Sequence, residues 1–340
     1  MRAFVCGCQG LTLADEERAF LRESAPFGVI LFKRNVATPA QLQALVAEIC
    51  DSLGRAETAV LVDQEGGRVQ RLGPPHWRAY PAAARFQALD LPLDAKERLV
   101  RLSARLMAQD LRRVGIDVNC VPVLDVPVAG SHDVIGDRAY GRDPQTVARL
   151  GRAAALGQLD EGVLPILKHI PGHGRAIVDS HHALPVVTAS LPDLIENDFA
   201  PFAANADLPA AMTAHVIYTA LDPDAPATLS RHVIKEIIRK KLGFDGLLFS
   251  DDLSMQALSG SLGVRAAAAF VAGIDIALHC NGNLEEARAV ASVAPVLAGE
   301  SLARAERALA CRAAASKAAP VGFDPVGAWS EIVAALAIAV

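Results

Sequence analysis

The chain has 340 residues, 52% of them hydrophobic and 21% charged, with a formal net charge of −5. That balance excludes a disordered chain, and the lack of an extended basic run argues against a polyanion such as nucleic acid as partner while leaving room for a small basic pocket. Length alone suggests about two domains, but α/β barrels routinely reach this size as one unit.

From the N-terminus, eight short apolar runs recur: 3–7, 28–32, 59–63, 117–123, 164–169, 210–216, 246–250 and 274–280. They are almost continuously hydrophobic, as in AVLVD, GLLFS and IDIALHC, which suits parallel strands buried on both faces. The stretch before the first acidic residues is shorter than a signal-peptide core. Amphipathic helical stretches lie between the runs. Thr38-Pro39-Ala40-Gln41 reads as a capped helix start, with Leu42, Leu45, Val46 and Ile49 on one face. Asp94 and Glu97 open the next long helix, whose stripe is Leu99, Leu102 and Leu106 and whose stop is Gly115. Asp143-Pro144 and Ser230 read as further starts, Gly162 and Gly243 as further stops. The terminal IVAALAIAV falls far short of the ~20 residues that span a bilayer and reads as a docked helix.

Strands alternating with helices allow a closed barrel or an open doubly wound sheet. The first strand ends in Cys-Gly-Cys-Gln-Gly, without the spaced glycines of a dinucleotide turn, and no phosphate-binding loop follows. The expected fold is a single (β/α)8 barrel over residues 1–340, with long connections after strands 3 and 5. Cys6, Cys8, Cys120 and Cys280 lie in apolar runs, as structural thiols do in a reducing compartment. The expectation is a cytoplasmic monomer with no membrane partner.

Polar residues end these strands repeatedly: Asp63, Lys168-His169, His215, Ser250-Asp251-Asp252 and Asn281. Buried charge is costly unless paired or used, so their recurrence at equivalent ends points to a site. The richest segment is KHIPGHGRAIVDSHHALP, residues 168–185. His169 and His173 share a helix-like spacing, but Pro171, Gly172 and Gly174 argue against a helix. His181 and His182 are neighbours that point apart, and no glutamate completes a zinc pattern. No metal or cofactor is expected. In Asp179-Ser180-His181 a carboxylate two residues before a histidine holds the ring for acid–base work; alone, the same residues also fit an ordinary surface turn.

KHIPGHG followed by DSH, with VDQEGGRVQRL at 62–72, IGDR at 135–138, MTAHVIYTALD at 212–222 and FSDDLSM at 249–255, resembles glycoside hydrolase family 3. The likeness is to its bacterial β-N-acetylglucosaminidases and runs across nearly the whole chain. It implies a retaining hydrolase with Asp251 as nucleophile and Asp179–His181 as the acid/base dyad. It also implies Asp63, Arg71, Arg138, Lys168 and His169 as the groups that hold sugar hydroxyls. Adjacent strand residues point oppositely, so Asp252 is excluded as nucleophile if Asp251 faces the mouth. Glu65 and His215 are expected as supporting groups, His173 as a brace of its loop, and Met255 in core packing or against the sugar. Ion pairs of Lys168, Arg71 and Arg138 with Asp63, Glu65 or Asp137 are compatible with sugar binding.

Two departures stand out. Many family members take the acid/base glutamate from a second α/β domain, for which no room remains here; Ile170 replaces a usual aromatic residue. His182 has no assigned role. The implied substrate is a small carbohydrate, a GlcNAc–anhydro-N-acetylmuramic acid muropeptide in peptidoglycan recycling, although no residue reads as an acetamido pocket. Two alternatives are a phosphorylase using the same residues and a non-catalytic sugar-binding barrel.

Overall fold

The computed structural model describes residues 1–55, 58–180, 183–318 and 323–338. Eight parallel strands build the barrel: β1 (Arg2–Gly7), β2 (Pro26–Leu31), β3 (Ala59–Val62), β4 (Val118–Asn119), β5 (Leu164–Pro165 continuing as Leu167–Ile170), β6 (Ala210–Thr213), β7 (Leu247–Asp252) and β8 (Ile276–His279). Each pairs with its sequence neighbours, and β1 pairs with β8. The two halves of β5 close the ring, one half bonding β4 and the other β6.

Alternation along each strand makes two layers. Val5, Ile30, Leu61, Val118, Ile166, Met212, Phe249 and Leu278 fill the interior, as side-chain layers do in such barrels. Their neighbours Phe4, Val29, Val60, Leu167, Ala211, Leu248 and Ala277 face the outer helices. Gly28 allows close strand contact, since a Cβ there would overlap the Ala59 carbonyl. The helix 299–318 closes the bottom, placing Ala305 and Ala308 in the interior cluster. The terminal helix Pro325–Leu336 buries Ile332 and Leu336 against the helix Leu93–Arg113.

The helix start and stop signals hold. Thr38 accepts from the Gln41 amide at 3.2 Å and Asp143 from the Thr146 amide at 2.8 Å. Gly115, Gly162 and Gly243 have φ of 83°, 75° and 73°, the left-handed form that ends helices. The long helix opens at Leu93 with Asp94 in its first turn; Pro92 occupies the cap, and Asp94 and Glu97 bind Arg149 on the next helix. The fourth run also forms a shorter strand than expected. Pro122 lacks an N–H to extend the ladder, and only the Lys168 amide bonds back to its carbonyl, at 3.0 Å.

Candidate active site

The long connections after β3 and β5 lie at the C-terminal end of the barrel with the polar strand ends. They enclose a cavity of about 300 Å3, at the lower end for small-molecule sites. One wall is ionic, from Asp63, Glu65, Arg71, Arg138, Lys168, His169 and Asp251. The other is apolar, from Ile30, Phe32, Met212, Met255, Leu278 and Cys280. The Arg34 and Arg71 guanidiniums flank the Phe32 ring at 4.9 and 5.2 Å from its centroid. Hydroxyls on the ring edge and C–H groups on its faces make a sugar complementary to such a pair of walls.

Local hydrogen bonds shape the ionic wall. Gln64 is buried after β3; its side-chain oxygen accepts from the Arg71 and Leu72 amides at 2.9 and 3.0 Å. This folds residues 64–72 back so that Arg71 reaches Asp63 at 3.1 Å. Asn119 on β4 ties the same turn to the barrel through the Gln64 amide and carbonyl, both at 3.0 Å. Lys168, 3% exposed along its side chain, bridges Asp63 at 2.8 Å and Glu65 at 2.7 Å. Arg138 grips Glu65 with two bonds of 2.8 Å. The partner of Arg138 is thus Glu65, while Asp137 binds Arg68.

The result is an alternating row: Arg71, Asp63, Lys168, Glu65, Arg138. Burial alone would raise both carboxyls, but Lys168 and Arg71 hold Asp63 far below the usual range, and Arg138 with Lys168 brings Glu65 to about 2. Burial would lower Lys168, yet Asp63 and Glu65 raise it. Asp63, Glu65, Lys168 and Arg138 therefore remain charged near neutral pH. Arg71 Nε is buried with no hydrogen-bond partner among the described residues.

Asp251 and Asp252 end β7, and the structure separates them. Asp252 is consumed by the protein: its carboxylate accepts from the Cys280 and Ser254 amides at 3.1 and 3.0 Å and from Ser254 Oγ at 2.6 Å. Among the described residues Asp251 accepts only the Asp252 amide, at 2.8 Å, and its Oδ2 lies 4.0 Å from His169 Nε2. Burial would raise the Asp251 carboxyl; His169, His215 and that amide outweigh it and keep it low. His215 supports this strand end, its Nε2 donating to the Asp252 carbonyl at 3.0 Å while Nδ1 meets Thr228 Oγ1 at 2.8 Å.

A residue that sequence reasoning missed organises the next loop. Asp125, fully buried after β4, accepts from His169 Nδ1 at 2.7 Å and from the His169 and His173 amides at 3.2 and 2.6 Å. Burial opposes its charge, but His169 and His173 keep its carboxyl low. Gly174 is required where this loop crosses the β4 end, because a Cβ would overlap the Val126 carbonyl.

Six of the eight expected site residues therefore line the cavity. Asp179 is half-buried beside Ser180, which lines it too. His181 and His182 lie outside the described residues. Met255 is 6% exposed and lines the cavity. Asn281 does not belong here: it binds Glu286 and caps the turn before the helix Leu284–Val293 through the Asn283 amide. No group of three or more His, Cys, Asp or Glu side chains among the described residues is arranged to hold a metal.

The glycosyl hydrolase family 3 N-terminal domain matches residues 6–309. A β-hexosaminidase of Thiobacillus denitrificans is 42% identical over 278 residues, 80% of this chain and 76% of the relative. One from Chromobacterium violaceum is 39% identical over 302 residues, 88% and 84% of the two chains. NagZ of Neisseria gonorrhoeae, solved with N-trifluoroacetyl-D-glucosamine, superimposes with a TM-score of 0.85 at 32% identity over 98% of each chain. A family 3 β-N-acetylglucosaminidase from Paenibacillus gives 0.86 at 31% identity, over 98% of this chain and 67% of that one. With its barrel, its polar rim and these matches, the chain belongs to glycosyl hydrolase family 3.

Proposed function

We propose that this chain is a retaining exo-β-N-acetylglucosaminidase with Asp251 as nucleophile and Asp179–His181 as acid/base dyad. The observation that carries the reading is the state of Asp251. Asp63 and Glu65 are neutralised by cations and Asp252 is bound by amides and a hydroxyl, whereas Asp251 faces the cavity ionised and lightly held. An ionised, accessible carboxylate attacks the anomeric carbon and forms a covalent glycosyl intermediate. Asp179 holds the His181 imidazole, which protonates the leaving oxygen and later deprotonates water. A neutral imidazole also avoids a second negative charge opposite the attacking carboxylate.

The charged row and His169 hold the sugar hydroxyls, since each hydroxyl both donates and accepts and the row offers both. The names of the relatives, and the amino sugar bound by the Neisseria NagZ, support N-acetylglucosamine as the sugar removed. The buried free thiols Cys6, Cys8, Cys120 and Cys280 support action in the reducing cytoplasm, where the chain works as a monomer. There the substrate is a GlcNAc–anhydro-N-acetylmuramic acid muropeptide and the process peptidoglycan recycling. No described helix is long and apolar enough to cross a membrane.

Trapping with a fluoro-substituted glycosyl donor, followed by peptide mapping, should label Asp251; a label elsewhere overturns the assignment. Asp251→Ala should abolish turnover of nitrophenyl N-acetyl-β-glucosaminide with its thermal melt preserved. The same assay with phosphate should still yield the free sugar, and a sugar phosphate as main product would contradict a hydrolase. Faster turnover of chitobiose than of the muropeptide would remove the recycling role alone.

A further inference from the structure

The segment from Lys168 to Ala176 is held to the barrel on several sides. The Tyr218 hydroxyl donates to the Gly172 carbonyl, and Arg175 Nε to Asp198 Oδ2 at 2.6 Å. The His132 amide donates to the Ala176 carbonyl at 2.8 Å. The chain then runs outward, leaving Ile177 66% exposed, and returns at Ser180, 3% exposed. At that return, Ser180 Oγ lies 3.1 Å from His173 Nε2, and the Ser180 carbonyl accepts from the Ala257 amide, on the loop after β7, at 3.3 Å. Ser180 is covalently joined to both Asp179 and His181.

We propose that His173 is a positioning residue for the acid/base dyad, acting through its hydrogen bond to Ser180, the point between Asp179 and His181. The inference rests on the reading of those two residues given above. His173 is itself fixed: its amide donates to Asp125, and its ring lies 5.6 Å from that of His169. Burial, with His169 beside it, pushes its imidazole down to about 4, so the ring stays neutral through the working range and the bond persists. A loop that needed only to be packed would be held by an apolar pair without the cost of desolvating two polar groups. A directional bond instead fixes Ser180, the residue through which the chain passes from Asp179 to the acid/base position, and displacement by about 1 Å at a reacting group costs about 10²-fold in rate.

The test compares kcat/KM on dinitrophenyl, nitrophenyl and methyl N-acetyl-β-glucosaminides, whose leaving groups need increasing help from an acid. His181→Ala serves as the reference. Ser180→Ala and His173→Ala should each lose about 10²-fold on the methyl glycoside and little on the dinitrophenyl one. The double variant should lose no more than either single one, as expected for two ends of one interaction. His173→Gln, whose amide reaches as far as Nε2, should recover most of the loss. Equal losses on all three substrates, no loss, or additive losses would overturn the proposal. Should His173→Ala fail to fold, Ser180→Ala removes a single oxygen and breaks the same bond from its other end. A flat response in His181→Ala itself would remove the dyad assignment and this proposal with it; flatness in the other two alone removes only the positioning role.

Discussion

The barrel carries buried ion networks at both ends, and they are built differently. At the bottom, Asp275 accepts from the Leu248 amide at 3.0 Å, Ser301 Oγ at 2.6 Å and Arg239 at 2.7 Å. Asp117 accepts from the Val60 amide at 3.0 Å and pairs with Arg312. These carboxylates stitch backbone to side chain and so fasten strands to helices. At the rim, the carboxylates of Asp63 and Glu65 meet only cationic side chains among the described residues, and Arg71 keeps an unused donor. Charge at a strand end thus marks a site only where its hydrogen-bonding capacity is not spent on the chain's own backbone, in keeping with catalytic tops and structural bottoms in such barrels.

Matched substitutions break the comparison most directly. Lys168→Met removes the cation shared by Asp63 and Glu65, leaving them Arg71 and Arg138, and Arg239→Met leaves Asp275 with Arg304 at 3.4 Å. Each should lose about 1–3 kcal/mol of stability, read by urea unfolding. Only Lys168→Met should also cut kcat/KM, by about 10³-fold, measured per folded molecule. A comparable loss of kcat/KM in Arg239→Met would erase the distinction between the two ends.

Asp125 sharpens it within the rim. Its carboxylate orients His169 from behind, as carboxylates fix the tautomer of a working imidazole. Asp125→Asn keeps an oxygen for the two loop amides but loses the acceptor for Nδ1–H. It should therefore lower kcat by about 10²-fold while shifting the melt little. A fall in stability with kcat intact would make Asp125 a structural residue like those at the bottom.

The sequence made the strands legible because both faces of each are buried, so hydrophobic runs match the barrel strands within a few residues. Five of the rim polar groups were visible as interruptions at the ends of those runs. Asp125 was not, because in VPVLDVPV the apolar residues on both sides disguise the charge as a flaw in a strand. Two flanking prolines, Pro122 and Pro127, were the signal that the strand had already ended. Asn281 misled for the converse reason: a polar residue after β8 also suits the approach to a helix cap. Gln64 and Asn119 were invisible because amides that fold a turn carry no charge pattern. Arg138 was singled out with Asp63, Glu65 and Asp137 as candidate partners, and the choice of Glu65 depends on a loop path that spacing does not encode.

A smaller effect lies beside the rim, where one buried carboxyl departs from the rule of the row. Asp198 pairs with Arg175, yet burial outweighs that partner and pushes its pKa up to about 6; nearby Asp125 acts in the same direction as burial. Its Oδ1 has no hydrogen-bond partner among the described residues. The folded state therefore holds this proton more tightly than the unfolded chain does. The stabilising contribution is full below about pH 4 and is lost as pH rises through about 6. Asp63 and Glu65, held low, act in the opposite sense: their contribution is present above the ordinary carboxylate range and is lost as pH falls toward 2. Asp198→Asn removes only the first dependence. Its Tm relative to the unmodified chain should climb by about 3–6 °C between pH 4 and pH 7, because at pH 7 the unmodified chain carries a buried charge that the amide lacks. A Tm difference that stays constant across that range would show that Arg175 fully compensates Asp198, and the pair would then belong with the rim rather than apart from it.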